Sequence, residues 1–153
     1  MTTYNVYRNG SKVKRGLTEK TFTDSGLSPN TEYTYQVSAE NSSGESELSD
    51  PIKVTTNYSD PTAIEVSPKT NNLEVGGTRN LSATVSPSTA KQTVTWTSSD
   101  TKIATIDNNG KVTAIAAGTA TITASSTEKS TVKGTASVNV TAPEPEQPPE
   151  GEG

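Results

Sequence analysis

Glu45, Glu47 and Asp50 crowd into one short stretch, and Asp107, Asn108, Asn109 and Gly110 form another that is rich in oxygen donors. Carboxylate and amide oxygens are what a hard cation prefers. The second stretch lacks the acidic-x-polar-x-polar-Gly spacing of a calcium loop, so it reads as a hairpin turn. Acids in a solvated loop without a rigid frame hold cations poorly, and no metal site is expected at the first. The 153-residue chain contains no His and no Cys. Nucleophile and base pairs built on those residues, zinc sites of imidazole or thiolate, and disulfides are all excluded. Glycoside hydrolysis needs a carboxylic acid of raised pKa beside a second carboxylate, and nothing in the linear sequence selects such a pair. The inventory therefore predicts a protein that is not an enzyme and uses no cofactor. Asn41-Ser42-Ser43 and Asn139-Val140-Thr141 match the glycosylation triplet, as chance matches do in a chain rich in Ser and Thr.

The tyrosines are unevenly placed. Tyr4, Tyr7, Tyr33, Tyr35 and Tyr58 all lie in the first part of the chain, and the second part has Trp96 almost alone. Tyr33 and Tyr35 are expected in a core. Tyr7 alternates with Val6 and sits beside the Asn9-Gly10 turn on the outward face, so it is the candidate for stacking on a sugar.

Charge argues against a nucleic-acid partner. Residues 1 to 57 carry six basic and seven acidic side chains, residues 58 to 141 carry seven and six, and the rest carries four Glu and no base. No basic footprint is present on either part. No apolar run approaches the roughly 18 residues of a membrane helix, so no membrane partner is expected. MTTYNVYRNG has neither the basic start nor the apolar stretch of a signal peptide, and a chain starting natively at Met1 is expected not to use the general secretory route.

The elements that must position these residues are strands. Only 28% of the residues are hydrophobic, a level that borders on disorder. Yet they recur at every second position in short stretches rich in Thr and Val, divided by Gly, Pro, Asn and Asp, as in half-buried antiparallel strands. Tyr4 to Arg8 and Ser11 to Lys14 are predicted to form a hairpin around Asn9-Gly10. Thr21 to Thr23 reads as a short strand. Leu27 to Asn41 places Tyr33, Tyr35, Val37 and Ala39 on one face of a long one, and Ile52 to Thr55 closes the segment. YNVYRNG, the Leu27, Pro29 and Tyr33 set, and YTYQVSAENSSGES resemble the third strand, the tyrosine corner and the sixth strand with its loop in the fibronectin type III module. That module's first two strands have no counterpart before Tyr4.

Asn57 to Pro61 is polar and ends in Pro, so 58 to 61 is read as a linker. The alternation restarts at Thr62 with Ile64 and Val66, and then runs through Leu73 and Val75, Leu81 to Val85, Val94 and Trp96, Ile103 to Ile106, Val112 to Ile115, Ala120 to Ala124 and Ala136 to Val140. Some seven or eight strands over residues 62 to 141 predict a β-sandwich. IEVSPKTNNLEVGGTRNLSATVSP, VTWTSSDTKIATIDNNGKVTAIAAGTATITA and TASVNVT resemble the bacterial Ig-like domain of group 2. Trp96 is expected between the sheets with an acceptor for its indole nitrogen, and Gly110 and Gly118 at positions that exclude a Cβ. Residues 142 to 153, APEPEQPPEGEG, form a Pro and Glu rich tail.

The expected fold class is thus all-β: two Ig-like β-sandwich modules in tandem, the first lacking its first two strands. Open on its inner face, the first module is expected to dock a partner through Tyr4, Val6, Tyr35, Val37 and Ala39. The group 2 resemblance implies a structural and display module, as on virion proteins of tailed phages and on intimin-like surface adhesins. The expectation is a non-enzymatic virion protein on the particle surface, anchored to a capsid or tail protein and touching carbohydrate of the bacterial surface through weak, many-copy contacts. The alternative is a fragment of a bacterial surface adhesin, or an accessory binding module of a secreted enzyme, at the extracellular cell surface.

Overall fold

A computed structural model describes residues 1–144. It falls into two compact units, Met1–Ser59 and a second beginning at Asp60. All regular structure among the described residues is β.

The first unit is one sheet. Strands β1 (Thr3–Arg8) and β2 (Ser11–Leu17) form a hairpin in which Arg8 faces Ser11. Asn9 and Gly10 have φ of 51° and 78°, the pair of positive values that a type I′ turn demands. Strand β3 (Glu32–Asn41) pairs with β1 along its whole length. Its other edge takes the short β4 (Gly44–Glu45) and β5 (Ile52–Thr55). Between them Ser46 and Ser49 complete the edge, their amides donating to the Ala39 and Val37 carbonyls and their hydroxyls accepting from the same residues' amides.

The pleat sorts this sheet into two faces. Register places Tyr4 beside Ala39, Val6 beside Val37, Tyr35 beside Ile52 and Tyr33 beside Val54, all on the apolar face. Asn5, Tyr7, Gln36 and Ser38 occupy the polar one. No second sheet covers the apolar face among the described residues. In consequence Val6 is the one buried apolar side chain of this unit, while Ile52 and Val54 are 64% and 50% exposed.

Thr21 to Thr23 is not a strand. The stretch alternates as a strand does, but from Thr18 to Leu27 no main-chain group bonds to another among the described residues. A strand exists only with a partner, and here none is present. The tyrosine corner forms: the Ser28 amide donates to the Tyr33 hydroxyl at 2.9 Å.

The second unit has nine strands, β6 (Ala63–Ser67), β7 (Thr70–Glu74), β8 (Thr78–Asn80), β9 (Ser82–Ser86), β10 (Val94–Ser98), β11 (Ala104–Ile106), β12 (Lys111–Ala114), β13 (Gly118–Ser126) and β14 (Lys133–Thr141). They form a four-stranded sheet β10-β13-β14-β7, a three-stranded sheet β11-β12-β8 and the pair β6-β9. All pairings are antiparallel except β14 with β7, which runs parallel from Ser137 opposite Thr70 to Thr141 opposite Glu74. The buried Asn71 amide fastens those two strands, donating to the Pro68 and Ser137 carbonyls.

Between the sheets lie Ile64, Val66, Val85, Val112, Ile122 and Val138, packed with six alanines. Small and β-branched side chains suit a thin sandwich whose strands approach closely. Of the residues expected in this core, Leu81, Val112, Ile122 and Val138 are buried, while Val94, Trp96 and Ile106 pack against its margin, half-buried. Leu81 is inward but lies outside the strands: its amide bonds to the Gly110 carbonyl between β8 and β9, and the run expected from Leu81 to Val85 forms a strand only from Ser82. A Cβ on Gly110 would stand 2.5 Å from the Leu81 carbonyl oxygen, and one on Gly118 would stand 2.7 Å from Ile103 Cδ1. Both positions therefore require glycine.

Candidate functional site

Along the open face of the first unit runs a groove of about 650 Å³. Its floor is Tyr4, Val6, Tyr35 and Val37, and the unpaired stretch Glu19 to Asp24 forms one wall with Leu17 and Leu27. Four of the five residues expected to dock a partner thus line one cavity. Ala39 does not: it shares the face by register but lies beyond the groove. Val6, expected to meet water, is 6% exposed. Phe22, Leu17 and Leu27 were not legible as part of the site. Leu17 stands at the end of β2, and Phe22 and Leu27 come from a non-strand segment that no periodicity ties to the face of β3.

One end of the groove is fixed by charge. Asp24 accepts from the Tyr35 hydroxyl at 2.7 Å and from Arg8 at 2.9 Å. The Tyr35 bond, then the Ser25 amide and Arg8, hold the Asp24 carboxyl below its usual range, while burial and Asp24 push the Tyr35 phenol up. The Arg8 guanidinium also lies 5.6 Å from the centre of the Tyr33 ring. In the wall, exposed Lys20 stands next to exposed Glu19, and the outer edge of β2 is unpaired.

Tyr7 does not stand free. Its hydroxyl donates to Glu45 at 2.7 Å, and the Lys12 ammonium lies 5.2 Å from the centre of its ring. Glu45 also accepts from Lys12, Asn5 and Ser38. Asn5, fully buried, donates to Glu40 as well and accepts from the Gly16 amide. Tyr7, the residue expected to stack on a sugar, belongs to this network through its hydroxyl. The same network accounts for Glu45 without a cation. Among the described residues, no cluster of three acids is placed to hold a metal ion.

A pH dependence follows. Lys12 foremost, then Ser38, Tyr7 and Asn5, hold the Glu45 carboxyl well below its ordinary 4.5. A carboxyl depressed on folding stabilises the fold at neutral pH, and that contribution fades as pH falls below the ordinary value towards the folded one. Glu45 sits on β4, so acid should release β4 from β3 first. Amide NMR between about pH 6 and pH 2 should show Gly44 and Glu45 shifting before the amides of β13. Glu45→Gln should remove that step; an unchanged acid limb in the variant would show that Glu45 does not govern it.

In the second unit a shallow pocket of about 400 Å³ opens beside Trp96, bordered by Leu81, Ala83, Val94, Asn108 and Asn109. The ring lies against Gly110, whose missing Cβ would come within 3.3 Å of Cζ2. The expected acceptor for the indole nitrogen is absent among the described residues. Trp96 is only half-buried, and the nitrogen is not among the buried polar atoms without a partner, so it meets solvent. Asp107 shapes the adjoining turn, its carboxylate accepting from the Asn109 and Lys111 amides at 2.8 and 2.9 Å. The turn is a hairpin turn, and its acid is already engaged.

An open fibronectin-like sheet followed by a closed Ig-like sandwich defines a modular protein of the kind built from tandem β domains. The profile of the fibronectin type III domain matches residues 1–55, and that of the bacterial Ig-like domain (group 2) matches residues 60–140. The chain belongs to the bacterial Ig-like domain (group 2) family. It is 45% identical over 82 residues to a 3-O-alpha-D-galactosyl-alpha-L-arabinofuranosidase of Bifidobacterium longum subsp. longum, a match covering 53% of this chain and 7% of that enzyme. It is 46% identical over 77 residues to a lacto-N-biosidase of Bifidobacterium bifidum, covering 50% of this chain and 7% of the enzyme. A minor capsid protein of Enterobacteria phage T3 is 46% identical over 65 residues, 42% of this chain and 15% of that protein. The chain thus spans only a small part of each relative.

Proposed function

We propose that this chain is a non-catalytic display element on the outside of a phage particle, attached through its first unit and presenting its second to the bacterial surface. The observation that carries the reading is the open apolar groove in the first unit beside a second unit whose core is closed. An apolar face of this kind on a soluble module marks a docking site. Its occupant is an extended segment of a capsid or tail protein, with apolar side chains at alternate positions to fill the groove. The main chain of Thr18 to Asp24, without main-chain partners, supplies an edge for strand addition. Similarity to the minor capsid protein supports the particle as carrier.

A second reading, an accessory module of an extracellular glycosidase, is favoured by the two bifidobacterial enzymes in which the matched part is 7% of the whole. Both readings place the module outside a cell or on a surface. Antibody against the chain, applied to particles and to culture fluid from the source, separates them. Gold label on virions supports the proposal. Label absent from virions, with the antigen in a large secreted protein, overturns it.

A further inference from the structure

We propose that the pocket beside Trp96 is a subsite for a neutral saccharide. The residues that border it include no charged side chain: Leu81, Ala83 and Val94 are apolar, and Ser82, Gln92 and Thr93 complete the border with Asn108 and Asn109 of the turn. Gln92 is committed to the fold, exchanging bonds with the Val85 main chain and donating to the Ala90 carbonyl. Three polar groups are not committed. The Trp96 indole N–H and the side-chain amides of the exposed Asn108 and Asn109 make no hydrogen bond to any described residue. An indole beside two free amides is a surface that is apolar on its plane and both donor and acceptor at its rim. A pyranose has the matching form, with a face of C–H groups and a rim of hydroxyls. Neither a cationic side chain nor a carboxylate borders the pocket, and one oxygen of the adjoining Asp107 is taken by the Asn109 and Lys111 amides.

The turn residues hold the arrangement in place. Gly110 sets the indole against the main chain, and Asp107 fixes the loop that carries Asn108 and Asn109. A shallow pocket with three polar groups gives weak binding, with a Kd on the order of 1 mM, which repeated copies would multiply. The inference deepens the surface-attachment reading above and rests on it for the source of the ligand. Binding of a purified sugar tests the pocket and particle labelling tests the carrier, so the two can fail separately.

Trp96 is the single tryptophan of the chain, so its fluorescence and its indole N–H resonance report on this pocket alone. The full chain is titrated to about 10 mM, some tenfold above the expected Kd, with cellohexaose, chitohexaose and maltohexaose in turn. At least one should shift the Trp96 indole resonance saturably. The Asn108→Ala/Asn109→Ala double variant, altered only at exposed turn positions, should bind about tenfold more weakly, as the loss of two hydrogen bonds predicts, with an unchanged melting temperature. No shift with any of the three sugars overturns the proposal, and so does a shift of undiminished affinity in the double variant.

Discussion

Ile122→Ala is expected to destabilise the second unit by about 2 to 5 kcal/mol, towards the upper end of that range. Ile122 is the largest fully buried side chain in the protein, and its strand β13 is held on both sides, by β10 and β14. Its register partner on β14 is Ala136, and along β13 its inward neighbours are Ala120 and Ala124. Small residues on paired strands cannot move in to fill the space, so the cavity term adds in full to the lost transfer energy. For a domain of this size the loss lowers the melting temperature by roughly 10 to 30 °C. Ile115→Ala provides the contrast: this side chain is 46% exposed, and its loss should cost no more than about 0.5 kcal/mol. Equal effects from the two substitutions, measured by chemical denaturation, would mean that the core does not centre on β13.

Hydrogen exchange should separate the two units by a large factor. Amides of Glu32 to Ala39 in β3 and of Ala120 to Ala124 in β13 are both in central strands with partners on either side. They differ in what lies against their apolar face. Against β13 stands a packed core; against β3 stands an open groove, with Val6 the only apolar side chain fully withdrawn from water. Local opening costs little where few apolar contacts are broken, so β3 should exchange at least about a hundredfold faster. Equal, strong protection of both strands in the monomer would show that the first unit is self-sufficient, and the docking proposal would lose its basis. A bound strand-supplying partner should slow β3 without affecting β13.

Much of this architecture was legible because it is encoded locally. Asn9-Gly10 dictates its hairpin, Asp107 to Gly110 dictates another, and the alternation of Ala120, Ile122 and Ala124 with Thr assigns the inward face of β13. What escaped the sequence depends on partners far along the chain. Asn5 alternates onto the polar face and so reads as solvent-exposed, yet it is fully buried because Glu45, forty positions away, accepts from its amide. The Tyr7 hydroxyl is bound to the same distant carboxylate. Thr21 to Thr23 shows the reverse error: a pattern fit for a strand, with no strand beside it. Trp96 combined both limits, since its position in β10 was readable but its place at the margin of the core was not. The floor of the groove was legible as one face of the sheet, but not the approach of Phe22 and Leu27 from a loop, nor that Ala39 falls beyond its end.

The parallel pairing of β7 with β14 bears on how the second unit carries load. Tension that reaches the start of β7 at Thr70, once past the β6–β9 pair, and the end of β14 at Thr141 pulls these two strands in opposite directions along their common axis. Because the two strands run the same way, the bonds from Ser137–Thr70 to Thr141–Glu74 are sheared together, and cannot be peeled one at a time as in a hairpin opened from its end. The Asn71 amide bond to Ser137 lies within the same patch and is loaded with it. Resistance to stretching is therefore concentrated in a few residues near the margin of the sheet, away from the pocket at Trp96. A module of this design keeps its exposed turns in shape while the chain on either side is drawn taut.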